Sequence, residues 1–514
     1  MLRNKRISII LIWAVILSAI FPSGIFAEPN PQFNEVEKML DEGGNYYFYY
    51  NIKGILKQTM NRLQKIINGE KIPPETQKIL SSLNQILETL GFYDIEDMGM
   101  SSIAVEDHFQ VKTFIRIPEK RRGLLKLFGA NPHPCHALDY APKETLVLFT
   151  TDLCAWEIIP LIRSCCQETG NPEVIQDFDK SIANLNMNLS NMTGNETKIK
   201  DLAASLQGEI ALLIDVDPIT KMNIPLGRMQ GTQLPSPRFA LMLRVKDALL
   251  YETLFAMLKK TGMVQSEIRE GDVRKIFAPV PPNPFYLLQP VLCHDGQYCI
   301  LTTQSSLLDR ILETKKTGNS LKTTEEYQQL MKGLPPQGNS FIFISKNAIR
   351  KFKDILLEIQ KLSSAMMAND MPSFFLQDLE GDITMGIASV QTNTENGIWE
   401  IRKQQQSNPG MKNLMTGVAI AGILTAIAVP GFLRARDNAR LRACQENLMK
   451  LDSAKEQWAL ENNKSNGAEV KMEDLIGEDK YILRRPVCPR GGTYTLGVIG
   501  EYPKCSCGAN IPEN

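Results

Sequence analysis

NLMTGVAIAGILTAIAVPGFL, from Asn413 to Leu433, divides this 514-residue chain into a long N-terminal part and a short C-terminal one. It holds no charged residue, with Lys412 before it and Arg434, Arg436, Arg440 and Arg442 after it. A helix needs about 20 apolar residues to cross the hydrocarbon core of a bilayer, so the run is long enough to span one. A buried core helix would show a polar face, and this run offers only Thr416, Thr425 and small residues. The expectation is one transmembrane helix over 413–433, with membrane lipid as its partner and a tail at 434–514 beyond it.

The N-terminus, MLRNKRISIILIWAVILSAIFPSGIFA, sets Arg3, Lys5 and Arg6 before an apolar core, then Pro22, Ser23, Gly24 and Ala27. That is the pattern of a secretory signal peptide over 1–27, and the chain after it is expected to be exported to the cell envelope. Lys+Arg and Asp+Glu are both 57, so no net field points to nucleic acid as a partner. Hydrophobic residues make up 43%, enough for large cores in two or three domains.

Residues 28–95 read as a helical segment: FNEVEKMLDE, GILKQTMNRLQKIING and PETQKILSSLNQILETLG space their apolar residues by three and four. From Met98 the pattern turns to alternating runs, SSIAVED and FQVKTFIRI, expected as paired strands. ETLVLFTTD reads as a strong strand, and DLCAWEIIPLIRSCCQE as a helix capped by Asp152. Helices near 171–187 and 195–205 precede the strand GEIALLIDV. FALMLRVKD, the helix ALLYETLFAMLKKTG and strands near 265–278 and 287–303 complete a first α+β unit at 96–300.

A second unit at 301–405 repeats part of the first. Tyr140-Ala141-Pro142 before LVLFTTD parallels Leu334-Pro335-Pro336 before SFIFISK, and each strand leads into a helical stretch, at 153–168 and 347–368. SLQGEIALLIDV then parallels DLEGDITMGIASV in the same order. The expected fold class is α+β: a duplicated exported domain of antiparallel sheet plus helices, one transmembrane helix, and a small α+β tail.

Val418 to Ser465 resembles the N-terminal helix of type IV pilins and of the type II secretion major pseudopilin, with Gly422 and Pro430 where such helices carry their glycine and kinking proline. PVCPRGGTYTLGVIGEYPKCS, Pro486 to Ser506, resembles the short β-rich end of small pseudopilin-like proteins. The resemblance implies a pilin-like tail with pilus or secretion-system subunits as partners. Where a prepilin has its Gly-Phe cleavage site and an acidic residue, this chain has Asn408-Pro409 and Asn413, which favours a pilin-derived anchor over a processed, polymerising subunit. The exported part is similar to a family of uncharacterised exported bacterial proteins, which bears on architecture alone.

Leu441, Cys444, Leu448, Leu451, Lys455 and Trp458 form a stripe, broken by Lys455, that would cover a small β-unit at 481–507 or pair with another helix. Ten cysteines fit an oxidising compartment. Cys488 and Cys505 bracket the tail's hairpin, and Cys293 and Cys299 flank the turn HDGQY; both pairs are candidate disulfides, two unpaired thiols being the alternative for the second. The four arginines after the span place the tail in the cytoplasm, whereas a disulfide-bearing head belongs outside.

Catalytic motifs are not found: there is no nucleophile elbow, phosphate loop or dinucleotide fingerprint, and no cofactor is expected. His133-Pro-Cys-His136 is the one dense cluster, and Pro134 argues against a helix that would aim both rings at a metal. Lys120-Arg121-Arg122 and Glu325/Glu326 read as solvated charge. The reading is a membrane-anchored, exported, non-enzymatic protein, a binding or structural accessory of pilus-like or type II secretion-like machinery. The alternatives are a hydrolase or metal-dependent enzyme centred on His133, Cys135 and His136, and a true filament-forming pseudopilin.

Overall fold

The computed structural model describes residues 33–406 and 441–508 apart from short breaks, the longest at 278–288 and 352–384. The signal-peptide reading of 1–27, the transmembrane reading of 413–433 with Gly422 and Pro430, and most of the expected 347–368 helix lie outside the described residues. Among those described, no helix is long and apolar enough to cross a membrane. The chain divides into two compact units, Met1–Asn408 and Pro409–Asn514.

Among the described residues, the first unit is built on one antiparallel sheet of 13 strands. Its first hairpin is β2 (Asp97–Val105) and β3 (His108–Arg116), the two alternating runs of the sequence, turning at Glu106 with φ 49°. β1 (Tyr46–Asn51) pairs with β2 where the sequence reading had only helix. YYFYYN is aromatic throughout, and such side chains favour a pleated surface over a helix. Before it, α1 is the single turn Phe33–Glu37; after it come α2 (Ile52–Gly69) and α3 (Pro74–Thr89), close to their expected bounds.

β4 (Val147–Asp152) leads through a 3-10 turn into α4 (Ile158–Glu168), α5 (Pro172–Thr193) and α6 (Ile199–Ser205). Asp152 does not cap α4. It ends β4, six residues before the helix, and its carboxylate turns to other partners. The long strands β5 (Leu206–Leu226) and β6 (Met229–Val245) come next, then α7 (Leu249–Lys260), β7 (Ile268–Glu270), β8 (Val273–Phe277), β9 (Val291–His294) and β10 (Tyr298–Thr302). After α8 (Ser305–Thr317) and α9 (Glu325–Met331), the unit ends with β11 (Ser340–Ile344), β12 (Met385–Thr394) and β13 (Gly397–Gln406).

The strand order is β1-β2-β3-β13-β12-β11-β4-β5-β6-β10-β9-β8-β7. At its centre β11 lies against β4, Ile342 opposite Phe149. Outward on each side stand β12 or β5, then β13 or β6, then the second strand of a hairpin, β3 or β10. The main core covers one face: Tyr140, Leu213, Met242, Ile300, Leu307 and Phe343 are all nearly solvent-free. Residues on β8–β10 that face the other way, Ile276, Leu292 and Cys299, pack with Tyr251 and the half-buried Leu254 and Leu258 of α7.

The second unit is small. Helix α10 (443–461) lays Cys444, Leu448, Leu451 and Ala454 on Leu475 of α11 (Met472–Leu475) and on Tyr494, Leu496 and Ile499 around the hairpin β14 (Tyr494–Thr495) and β15 (Lys504–Cys505). The apolar stripe of the sequence therefore covers the β-unit. Lys455, its polar break, is completely buried.

Candidate functional site

Three arrangements in the two units have the chemistry of a site. The first surrounds His133. The loop carrying it is pinned to the end of the central strand pair by two backbone bonds, His133 N to Gly338 O (3.1 Å) and Gly338 N to His133 O (2.9 Å). Its Nε2 meets Asp152 Oδ1 at 2.9 Å and its Nδ1 meets the Pro134 carbonyl at 2.8 Å. The bond to Asp152 is the largest influence raising its pKa, to about 9, so at neutral pH the ring is an imidazolium that donates from both nitrogens. Asp152 also accepts from Asn339 Nδ2 (2.8 Å), and Asn339 Oδ1 accepts from the Asn393 N–H (2.9 Å).

His136 stacks on His133, centroids 5.5 Å apart and planes at 13°. Glu209, from β5, lies within metal-ligand reach of both rings. It is already occupied: it accepts from the Ala137 N–H (2.8 Å), the His136 N–H (3.3 Å) and the Tyr298 hydroxyl (2.9 Å). Burial pushes the Cys135 thiol up to about 12, the wrong direction for a nucleophile. The arrangement ties the loop to Asp152 of β4, Glu209 of β5 and the Gly338–Asn339 segment before β11.

The second arrangement is a row of apolar side chains across the sheet. Ile342, Phe149, Leu212, Leu241 and Leu301 stand opposite one another on β11, β4, β5, β6 and β10. They sit on the face away from the main core, and Phe149, Leu241 and Leu301 are 37%, 39% and 46% exposed. A contiguous exposed apolar row of this kind is the usual mark of a surface that meets another molecule.

The third lies in the small unit. The sulfurs of Cys444, Cys488, Cys505 and Cys507 are all within 4.8 Å of one another. Cys444 Sγ is 3.6 Å from both Cys488 Sγ and Cys507 Sγ, and the Tyr494 hydroxyl donates to it at 3.5 Å. Burial drives the Cys444 thiol up to about 12. Nearby, the Lys455 ammonium donates to the carbonyls of Leu496 (3.1 Å), Val498 (3.0 Å) and Glu501, which closes the 496–501 loop around a cation.

The candidate disulfides fare differently. All ten cysteines are thiols in the structure. Cys293 and Cys299 do flank a hairpin turn, but Cys293 is opposite Ile300 and Cys299 opposite His294, so their side chains enter different cores. A one-residue offset sends neighbouring side chains to opposite faces, and no bridge forms there without moving the strands. Cys488 and Cys505 are brought together, but as two members of a set of four. The basic run is not merely solvated: Arg121 donates to Thr394 O (2.8 Å) and Arg122 forks onto Asp94. Glu326 likewise accepts from the Lys346 N–H at 2.6 Å.

No family profile matches the chain, and no solved structure matches it. Part of it is similar to type II secretion system core protein G. With the Klebsiella michiganensis protein it shares 27% identity over 114 residues, 20% of this chain and 80% of the relative. With that of Aeromonas hydrophila it shares 23% over 116 residues, 20% and 81% respectively, and with that of Pseudomonas aeruginosa 25% over 128 residues, 22% and 90%. About a fifth of the chain thus carries a pseudopilin-like region.

Proposed function

We propose that this chain is a membrane-anchored, exported, non-enzymatic protein that acts as a binding or structural accessory of type II secretion-like or pilus-like envelope machinery. The observation that carries the reading is the similarity to core protein G, which spans four-fifths or more of each relative's own length. A pilin-like helix at 413–433, with Gly422 and Pro430, would tether the protein among related subunits. The large unit that precedes it would do the binding, and the exposed row from Ile342 to Leu301 is the surface we assign to that contact.

We read the large unit as a duplication. In support, the strand order runs outward alike from the β11–β4 pair, with the N-terminal hairpin β2–β3 standing where β9–β10 stands on the other side. The second copy would then be completed by the beginning of the chain.

The test is fractionation and affinity capture of the full chain from membranes of its native host, solubilised in mild detergent. Recovery in the membrane fraction with secretion or pilus subunits is expected, and a triple variant Phe149→Ser, Leu241→Ser, Leu301→Ser should stay folded and membrane-bound but lose a partner. A chain found free of membranes, or membrane-bound but captured without any envelope-assembly subunit, overturns the proposal.

A further inference from the structure

We propose that Cys444, Cys488, Cys505 and Cys507 form a structural zinc site that closes the small C-terminal unit. The four sulfurs come from three separate segments: one from α10, one from the loop after Ile482, and two from β15 and the turn beyond it. Zinc bound by four thiolates at about 2.3 Å sets its sulfurs about 3.8 Å apart at the corners of a tetrahedron. The two separations at Cys444 are 3.6 Å, and no pair in the set exceeds 4.8 Å. Cys444 is equidistant from two other sulfurs, an arrangement that shared coordination produces and pairwise bonding does not.

The backbone around the sulfurs is shaped to match. A glycine N–H three residues on donates to the carbonyl of each of Cys488 and Cys505, Gly491 to Cys488 and Gly508 to Cys505, both at 3.0 Å. Both glycines hold positive φ, 75° and 81°. At Gly492 a Cβ would lie 2.7 Å from Cys505 Sγ and 3.0 Å from Cys507 Cβ, so the loop reaches the sulfurs only because that residue lacks a side chain. The Tyr494 hydroxyl, itself accepting from Asn447 Nδ2 at 3.1 Å, is aimed at Cys444 as an outer partner of a ligand sulfur.

Three of the four cysteines are buried and the fourth partly so, which leaves no open coordination position. A closed four-ligand set holds structure and does not activate water. Tetrahedral thiolate coordination selects zinc or iron over the oxygen-preferring cations. The need is plain from size: a core gathered around α10, the single turn α11 and a two-stranded hairpin is small, and such folds draw stability from a metal or a disulfide. Binding replaces four S–H protons with the metal, so it releases protons as it proceeds.

The full chain, purified in detergent with reductant and without chelator, is analysed for metals by mass spectrometry. One zinc per chain is expected, released when a mercurial titrates the thiols. Exchange with Co(II) should give intense visible bands of tetrahedral thiolate coordination. Cys488→Ser and Cys507→Ser should lower the zinc content at least tenfold, while His133→Gln leaves it unchanged. If the serine variants fail to fold, the cobalt spectrum and mercurial release on the unmodified chain decide. Stoichiometric iron, metal that washes off in dilute chelator with all four thiols still titrating, or a Cys488–Cys505 disulfide in the unreduced protein would each overturn the assignment.

Discussion

Charge on His133 is a measurable part of what holds the large unit together. Its pKa rises from the ordinary 6.5 to about 9, chiefly because Asp152 accepts from Nε2, with Glu209 3.8 Å from Nδ1 adding to the field. A raised pKa means the folded state binds the proton more tightly than the unfolded one. The stabilisation is therefore complete below pH 6.5 and is lost as the pH climbs through 9. In full the difference is worth about 3 kcal/mol, and the side chain's 29% exposure reduces this to about 2 kcal/mol. The assay is urea unfolding of a chain ending at Gln406, followed by tryptophan fluorescence under reducing conditions at pH 6, 8 and 10, beside His133→Gln. Comparing the two chains removes every other group that titrates over this range. The gap in unfolding free energy should be about 2 kcal/mol at pH 6 and under about 0.5 kcal/mol at pH 10. A gap that stays constant with pH would refute the idea that an imidazolium bridges the loop to β4.

Lys455→Met keeps the aliphatic stem but leaves three carbonyls, Leu496 buried and Val498 and Glu501 part-buried, without their donor, at a cost of about 3 kcal/mol. Hydrogen exchange of the full chain should show residues 494–502 opening roughly 100-fold more often, and unchanged protection there would count against the cap. Gly129→Ala places a Cβ 2.2 Å from Asp152 Oδ2 at a φ of 78°, so thermal unfolding should come several degrees earlier, a loss of about 2–4 kcal/mol. Gly170→Ala, also at positive φ but with open space around it, should cost only about 1 kcal/mol in the same melt. Arg238 forks onto buried Asp215 at 2.7 and 2.6 Å and reaches Asp217 at 3.3 Å. Arg238→Met should therefore destabilise the unit by about 3–5 kcal/mol, readable as a lower urea midpoint with unchanged slope.

Periodicity reveals elements well when their neighbours are near in sequence. The hairpins β2–β3 and β9–β10 and the helices α2, α3, α5, α6 and α7 were readable from apolar spacing and turn residues. What failed depended on partners elsewhere in the chain. Asp152 has the composition and position of a helix cap, and only the arrival of Asn339 and His133 turns it into a sheet-end anchor. YYFYYN looked like part of a helical segment because its strand character needs β2 beside it. Cys293 and Cys299 carry a sound hairpin signal, while the register that separates their side chains is set by pairing. Around the tail sulfurs the spacing C-x-C with a distant CPxGG lacks the C-x-x-C signature. Cys444 joins them through the fold of α10, although its place on the apolar stripe was the available clue.

The seam between β3 and β13 also sets a clock. Arg116 pairs with Gly397, so a strand made early waits for one made last. At roughly 5–20 residues per second, the interval is on the order of tens of seconds. Through that time the edge of β3 is an unpaired template open to other chains. A product truncated before residue 397 keeps that edge for good. The residues that complete the sheet immediately precede the Asn413–Leu433 stretch, so closure of the large unit and emergence of that apolar run fall at nearly the same moment of synthesis.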